Sequence, residues 1–417
     1  LSGDWGSVAF GAGPFPSGID VWVGYASPSQ TSFRPALTTS QTFKGMKDKQ
    51  DAIPPGGTFC VHQALRFGAP AETLTTLAPD FIEPFKQAFP HLLQWPDRRP
   101  IGFWMISEKT KQSQTNPRGY AWSPDLNVSD SAAFRSTMLK NLENTLKNMD
   151  SMSVRPQGLI IWDLEGQEFY HHFTYVGHPD KLSHTAPEMD AIADEFFARI
   201  KSAGYRAGVT IRPNTFGSGP SLPASCQYNA NSNRNPKFLL TTAEYPFRAY
   251  ECALGDKWTL NPGGFGAQMD PPTDDEWIYQ LLDQKIMYAR ERWGVTLFYL
   301  DSNVYGVGGS ALNHTIYRRL VNKYPDCLII PEWSTPYDWA STASYRHMNL
   351  GMLGTPASVR GLYPDAFSVL NVADQDFALK KNALIEAVRS GDVLLFRAWW
   401  QSPELHWIDA IYTEARR

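Results

Sequence analysis

Carboxylates close several short apolar runs in this chain. WDLEG (162–166) carries Asp163 and Glu165, YLDSN (299–303) carries Asp301, and PEW (331–333) carries Glu332. A carboxylate at the end of an apolar strand is costly to bury unless it is paired or hydrogen-bonded, so three such runs in one chain call for a reason. Indoles flank two of them: Trp162 precedes Asp163 and Trp333 follows Glu332. Two carboxylates among aromatic faces fit glycosyl transfer. One attacks the sugar carbon or activates water, the other protonates the leaving oxygen, and nearby negative charge stabilises the oxocarbenium-like transition state. Sugar C–H faces stack on indole and phenol rings. On this reading Asp301 is the nucleophile and Glu332 the acid/base, with Asp163, Glu165, Trp162, Arg212, Tyr299, Asn303, Trp333 and Trp399 around the sugar. A carboxyl separation of ~5–5.5 Å gives retention and one of ~6.5–9.5 Å inversion; neighbouring strands favour the shorter.

Each residue has a structural role to set beside the chemical one. Asp301 would also cap the next helix, and Glu332 would pair with a barrel arginine such as Arg212. Of Asp163 and Glu165, one is expected to bind sugar and the other to be a structural partner. Trp104, Trp162, Trp333, Trp399 and Trp400 would also fill space, although a buried indole needs a partner for its N–H. Alternation sends Trp399 and Trp400 to opposite faces, so only one of that pair can line a cleft. Two or three of the five are expected in the site. His171, His172, His178 and His184 follow the WDLEG run, but their spacing matches neither HExxH nor a helical i, i+4 pair. No GxSxG occurs. Cys60, Cys226, Cys252 and Cys327 form no CxxC, although Cys226 and Cys252 bracket a polar stretch they could close.

Something must hold these groups at one place. From residue 101 onward short apolar runs alternate with helical stretches: IGFWMIS (101–107), GLIIWDLEG (158–166), RAGVTIRP (206–213), LFYLDSN (297–303), CLIIPEW (327–333), HMNLGML (347–353), FSVLN (367–371) and VLLFRAWW (393–400). Helices are expected at 130–149, 187–203, 274–293, 311–323 and 376–390. Continuous apolar strands separated by helices indicate a parallel sheet covered on both faces. Eight such units fit a (β/α)8 TIM barrel, whose catalytic groups project from the C-terminal strand ends. A doubly wound sheet is the alternative, but no GxGxxG follows an early strand, and GVGGS (306–310) is a weak phosphate-loop signal. Residues 1–95 form an irregular, Pro/Gly/Ser-rich extension with a strand at 19–26 and a helix at 72–89, and 96–417 the barrel. The extension is expected to pack on the barrel.

Composition narrows the partners. The chain has 417 residues, 38 basic and 42 acidic, with net charge −4, which argues against binding nucleic acid through phosphate neutralisation. Hydrophobic residues make up 42% and charged residues 19%, a globular balance. No window reaches the ~18 apolar residues of a membrane helix. Tryptophan is abundant, at 14 residues. Sequons stand at Asn127 and Asn313. The chain begins at Leu1, which looks processed, and a secreted or periplasmic location is expected from the function alone.

GGFGAQMDPPTDDEWIYQLLDQKIMYARERWGVTLFYLDSN (263–303) resembles the approach to the nucleophile in melibiase-type α-glycosidases, where a "DP" segment leads through a helix into a "GV…D" strand. AGYRAGVTIRP (203–213) is similar to the third strand of that group, and IIWDLEG (160–166) sits where its second strand ends in sugar-binding acids. The resemblance is one of pattern and order over about 158–303. It implies a barrel, a retaining α-glycosidase, Asp301 as nucleophile and Asp163 on sugar hydroxyls. That group places its acid on strand six, where this chain offers no obvious carboxylate. Glu332 on strand five looks more like the endo-α-N-acetylgalactosaminidase or α-amylase arrangement, with Asp365 as the alternative acid.

The expectation is a glycoside hydrolase with an oligo- or polysaccharide substrate and no cofactor. The rivals are a non-catalytic glycan-binding barrel and a metal-dependent hydrolase using the His171–His184 region with Asp163.

Overall fold

The computed structural model describes residues 78–166, 177–213, 275–301, 303, 311–399 and 404–417, apart from 112, 114, 117, 374 and 375. It describes the backbone alone at 81, 109, 184, 185 and 277 and in short strands within 2–68 and 253–265, and also residue 76.

Eight parallel strands form one sheet: β1 (Ile101–Trp104), β2 (Gly158–Ile161), β3 (Arg206–Ile211), β4 (Val295–Leu300), β5 (Leu328–Pro331), β6 (Ser344–His347), β7 (Ser368–Asn371) and β8 (Val393–Arg397). Each pairs with its chain neighbours except β5 and β6, which end the sheet, and β8 pairs back onto β1. The ring closes between β5 and β6 through the Ala343 N–H, which donates to the Ile329 carbonyl at 3.1 Å. This is a (β/α)8 barrel, as the alternation of runs and helices indicated.

Helices cover the outside: α1 (Ser131–Asp150), α2 (Pro187–Ser202), α3 (Asp275–Trp293), α4 (His314–Lys323), α5 (Ala357–Leu362), α6 (Phe377–Arg389) and α7 (Leu405–Ala415). Their starts are written locally. Asp130, Asn313 and Asp376 each accept an N–H from the first turn of α1, α4 and α6, satisfying donors that a helix leaves open. Among the described residues no helix is long and apolar enough to cross a membrane.

Two expectations were displaced. The sixth strand lies at Ser344–His347, upstream of the apolar HMNLGML run, of which 348–350 is a 3-10 turn and Leu350 and Leu353 are 65% and 53% exposed. A strand on the seam has one laddered neighbour and carries little of the continuous apolar signal of a central strand. The extension also holds more order than irregular sequence suggested. Gly6–Ala12 pairs antiparallel with Gln63–Gly68, and Ile19–Ala26 with Ala36–Phe43.

Its helix, Pro79–Ala88, sits at the weak point of the ring. β5 and β6 are joined by only a 3-10 turn, Asp338–Ala340, with no α-helix between them. Ile82, with Phe85 and Phe89, packs against Trp339 from that turn and Val359, Leu362 and Tyr363 around α5. The Leu92 and Leu93 N–H groups both donate to the Ala340 carbonyl, at 2.6 and 3.2 Å, and the Tyr363 hydroxyl donates to the Phe89 carbonyl at 2.7 Å. The extension thus supplies the helix that the barrel lacks there. Ile82 is 0% exposed, so Ile82→Ala is expected to lower unfolding stability by about 2–4 kcal/mol, read by urea titration; a change below about 0.5 kcal/mol would show the helix to be an accessory.

Candidate active site

Rings from β2, β4 and β6 meet one another, which only the barrel interior allows: Trp162 lies 4.2 Å from Tyr299 and 6.4 Å from Tyr345, and Tyr299 lies 5.1 Å from Tyr345. Alternation then carries Asp301, two residues past Tyr299, to the same inner face. That phase depends on a bulge. Val295 pairs with Ala207 but Leu297 pairs with Gly208, so Thr296 is an extra residue in β4. From Leu297 onward the register is unbroken on both sides, with Leu300 opposite Ile211 on β3 and Pro331 on β5. One position further, Arg212, Asp301 and Glu332 stand in a row at the mouth. The ladder continues through them: the Asp301 N–H donates to the Ile211 carbonyl and the Glu332 N–H to the Leu300 carbonyl, both at 3.0 Å.

Arg212 donates from Nε to Asp301 Oδ2 at 2.7 Å, and from Nη2 to the same oxygen. Both residues are 7% exposed, whereas Glu332 is half-buried. Tyr345 bridges the row to β7, its hydroxyl oxygen accepting the Asn371 amide at 2.7 Å. Burial, with the charges of Glu332 and Asp301 behind it, pushes the Tyr345 phenol well above its ordinary range, so it stays protonated beside both carboxylates.

Behind this row lies a buried lysine. Lys285, on α3, is 0% exposed and donates from Nζ to the Arg212 carbonyl at 2.6 Å. Burial lowers its pKa to about 7, with Asp180 and Glu165 opposing and Arg212 reinforcing. Glu165 is buried too, accepts the His178 N–H at 2.5 Å, and has its pKa raised by that burial. His178 contacts Asp180 through Nδ1 at 2.5 Å; burial, then Lys285, lowers its pKa to about 4.

The other expected residues divide between the mouth and its supports. Asp163 is fully buried and accepts the Ile106 and Ser107 N–H groups at 2.7 and 3.1 Å and the Ser107 hydroxyl, tying the exit of β2 to that of β1. Asn303 is fully buried; its amide donates to the Trp333 carbonyl at 2.6 Å and accepts the Trp333 N–H at 2.8 Å, which fixes the exit of β5 beside β4. Trp333 itself is 47% exposed. Trp162 is half-buried and Trp399 buried at the mouth, while Trp104 is fully buried and stacks outward on Phe196 of α2 at 5.9 Å. Asp365 is exposed and precedes β7, so it lies at the N-terminal end of the barrel, away from the mouth. Trp400, His171, His172, Cys60, Cys226, Cys252, the GVGGS run and the His184 side chain fall outside the described residues. Among the described residues no group of three or more His, Cys, Asp or Glu could hold a metal, and Cys327 is a free, buried thiol pushed up to about 12 by burial.

Tyr345, Asn371 and Lys285 were missed from sequence. Lys285 had a visible signal: it falls in the apolar stripe of Ile278, Leu282 and Ala289 on α3, where a charge needs a partner.

No family model matches this chain, and no curated protein does. Solved structures similar to it include an alpha-galactosidase from Lactobacillus brevis, with TM-score 0.41 and 13% identity over 86% of this chain and 46% of that one. An alpha-N-acetylgalactosaminidase from Bifidobacterium bifidum gives TM-score 0.43 and 11% identity over 86% and 58%. An alpha-amylase from Malbranchea cinnamomea gives 0.37 and 13% over 76% and 77%. This chain spans about half the length of the first two.

Between about pH 7 and 10.5 the unfolded chain protonates Lys285 where the folded chain does not, so this residue makes stability rise with pH across that window. Lys285→Met is expected to flatten that rise, measured by urea unfolding at several pH values. A slope equal to that of the parent protein would show that the folded lysine is charged throughout.

Proposed function

We propose that this chain is a glycoside hydrolase cleaving an α-linked glycoside with retention, Asp301 serving as nucleophile and Glu332 as acid/base. The observation that carries the reading is the adjacency of the two carboxylates on β4 and β5, in one inward-facing row at the C-terminal end of the barrel, where barrel enzymes keep their chemistry. Neighbouring strands lie ~4.8 Å apart, which supports the ~5–5.5 Å carboxyl separation of a retaining enzyme. The α linkage rests on the pattern of residues 158–303.

Arg212 holds the Asp301 carboxylate in place, and the half-buried face of Trp162 offers a platform beside it. Asp301 attacks the anomeric carbon while Glu332 gives its proton to the departing oxygen, leaving a glycosyl ester on Asp301. Glu332, now ionised, takes a proton from water, and the water oxygen displaces Asp301 and restores both groups. Glu165, Asp163 and Asn303 fix the strand exits that carry these groups.

Asp301→Asn is expected to lower kcat/KM on p-nitrophenyl α-glycosides by about 10²–10⁴, and Glu332→Gln to do so on α-linked disaccharides, whose leaving oxygen needs the proton. Azide then separates the roles. With a small side chain in place of Glu332 it gives a glycosyl azide of retained configuration, and with one in place of Asp301 the opposite anomer. Near-parental turnover in both variants would overturn the assignment of these two carboxylates, whereas no turnover by the parental protein would remove the hydrolase reading and leave a mouth that binds glycans without cutting them.

A further inference from the structure

The wall across the mouth from Asp301 is built at a conformational cost. In a ring of eight strands β8 stands opposite β4, and the chain leaving β1 covers that side. There Ala121 and Trp122 both hold left-handed backbone, with φ of 55° and 56°. Two consecutive non-glycine residues in that region, one of them an indole, persist only where their surroundings over-determine them. The surroundings do so here. Asn116, 0% exposed, donates to the Tyr120 and Ser123 carbonyls, both at 2.8 Å, and accepts the Tyr120 N–H at 3.0 Å. The Ala121 N–H donates to the Ile106 carbonyl at 2.8 Å, and the Ile106 N–H is itself held by Asp163. The Trp122 Nε1–H donates to the Met105 carbonyl at 2.9 Å.

The indole so fixed starts a track of rings. Trp122 lies 5.6 Å from Trp399, Trp399 5.9 Å from Phe103, Phe103 5.1 Å from Trp162, and Trp162 4.2 Å from Tyr299, two residues short of Asp301. Phe103, Tyr299 and Trp399 are buried, whereas Trp122 and Trp162 keep part of their surface open. The track therefore offers two indole faces, one beside Asp301 and one at its far end. The Arg397 guanidinium stands 5.3 Å from the Trp399 ring, midway along the track, and 3.6 Å from Glu404.

We infer that this track is a groove for a saccharide chain, in which Trp122 stacks a sugar ring remote from the cleaved bond. The position of the cleaved bond rests on the hydrolase reading; the groove itself rests on the strained turn and the ring sequence. The substrate class that follows is an oligo- or polysaccharide rather than a simple monosaccharide glycoside.

The test uses the full-length Glu332→Gln protein on an array of α- and β-linked glycans from mono- to hexasaccharide, followed by Kd along the homologous series of the best-retained glycan. Affinity is expected to rise with chain length, and adding Trp122→Ala to reduce that gain about tenfold, with Trp122→Tyr restoring most of it. Trp122→Gly suits a left-handed backbone and is expected to show the same loss, so a misfolded turn would not explain it; melting temperatures check each fold. Retention of no glycan overturns the groove, as does an equal effect of Trp122→Ala on mono- and hexasaccharide, or no effect on either. Incubating the parental protein with the retained glycan separates the two readings. Chain-length-dependent binding without cleavage keeps the groove and removes the hydrolase. Cleavage without dependence on Trp122 does the reverse.

Discussion

One extra residue in β4 decides which side chains meet at the mouth. Were Thr296 laddered in the register set by Val295, opposite Ala207, it would pair with Gly208, and Asp301 would face the helices. A one-residue slip moves a whole strand's side chains to the other face, and bulges re-aim side chains near functional sites. With Thr296 bulged out of the ladder, Leu297 pairs with Gly208 instead. The small residue is needed there: a Cβ on Gly208 would stand 2.7 Å from Ile160 Cγ1 and 2.9 Å from Leu297 Cβ. The inner layer is thus closed by Ile160 and Leu297, and the row above it is free to be polar.

That polar row is held from two directions. Arg212 is fixed through its guanidinium by Asp301 and through its carbonyl by Lys285. Removing one partner of a buried pair leaves an uncompensated charge and is far more damaging than replacing both, so Arg212 and Asp301 act as one unit. Lys285 is tolerated because burial drops its pKa to about 7, which lets the neutral amine carry much of the population near neutrality while still donating a hydrogen bond. Asp163 and Asn303 likewise each tie their own strand exit to the backbone leaving the adjacent strand. Buried polar networks of this kind give a site its geometry when every member is satisfied.

The barrel was legible because central parallel strands are apolar on both faces. GLII, RAGVTI, VTLFYL, LIIP and VLLFR all stand where their runs suggested. SYRH was not legible, since its inward residues, Tyr345 and His347, are polar aromatics at the mouth and its partner on one side is a single hydrogen bond. Nor could a local pattern show that Pro79–Ala88 stands in for a missing helix between β5 and β6, because that contact joins residues some 250 positions apart. The carboxylates at strand ends were visible as a group. Their division was not: whether a carboxylate opens on the mouth or binds neighbouring N–H groups, as Asp163 does, depends on the chain that passes over it.

The tryptophan surplus divides along the same line. Trp104 and Trp293 lie between sheet and helices, stacked on Phe196 and Phe197, and Trp339 fills the patch under Pro79–Ala88. Trp162 and Trp122 are only half-buried, at the mouth. Composition treats these indoles alike; the backbone beneath them does not. A packing residue can sit wherever the chain runs comfortably, whereas Trp122 is held in a conformation its side chain disfavours, by a buried asparagine and three hydrogen-bonded neighbours. A stacking ring that is already immobile loses little conformational freedom when a ligand arrives. The strain stored in the turn and the rigidity of the platform are then two sides of one arrangement, and a looser turn would relieve the first only by giving up the second.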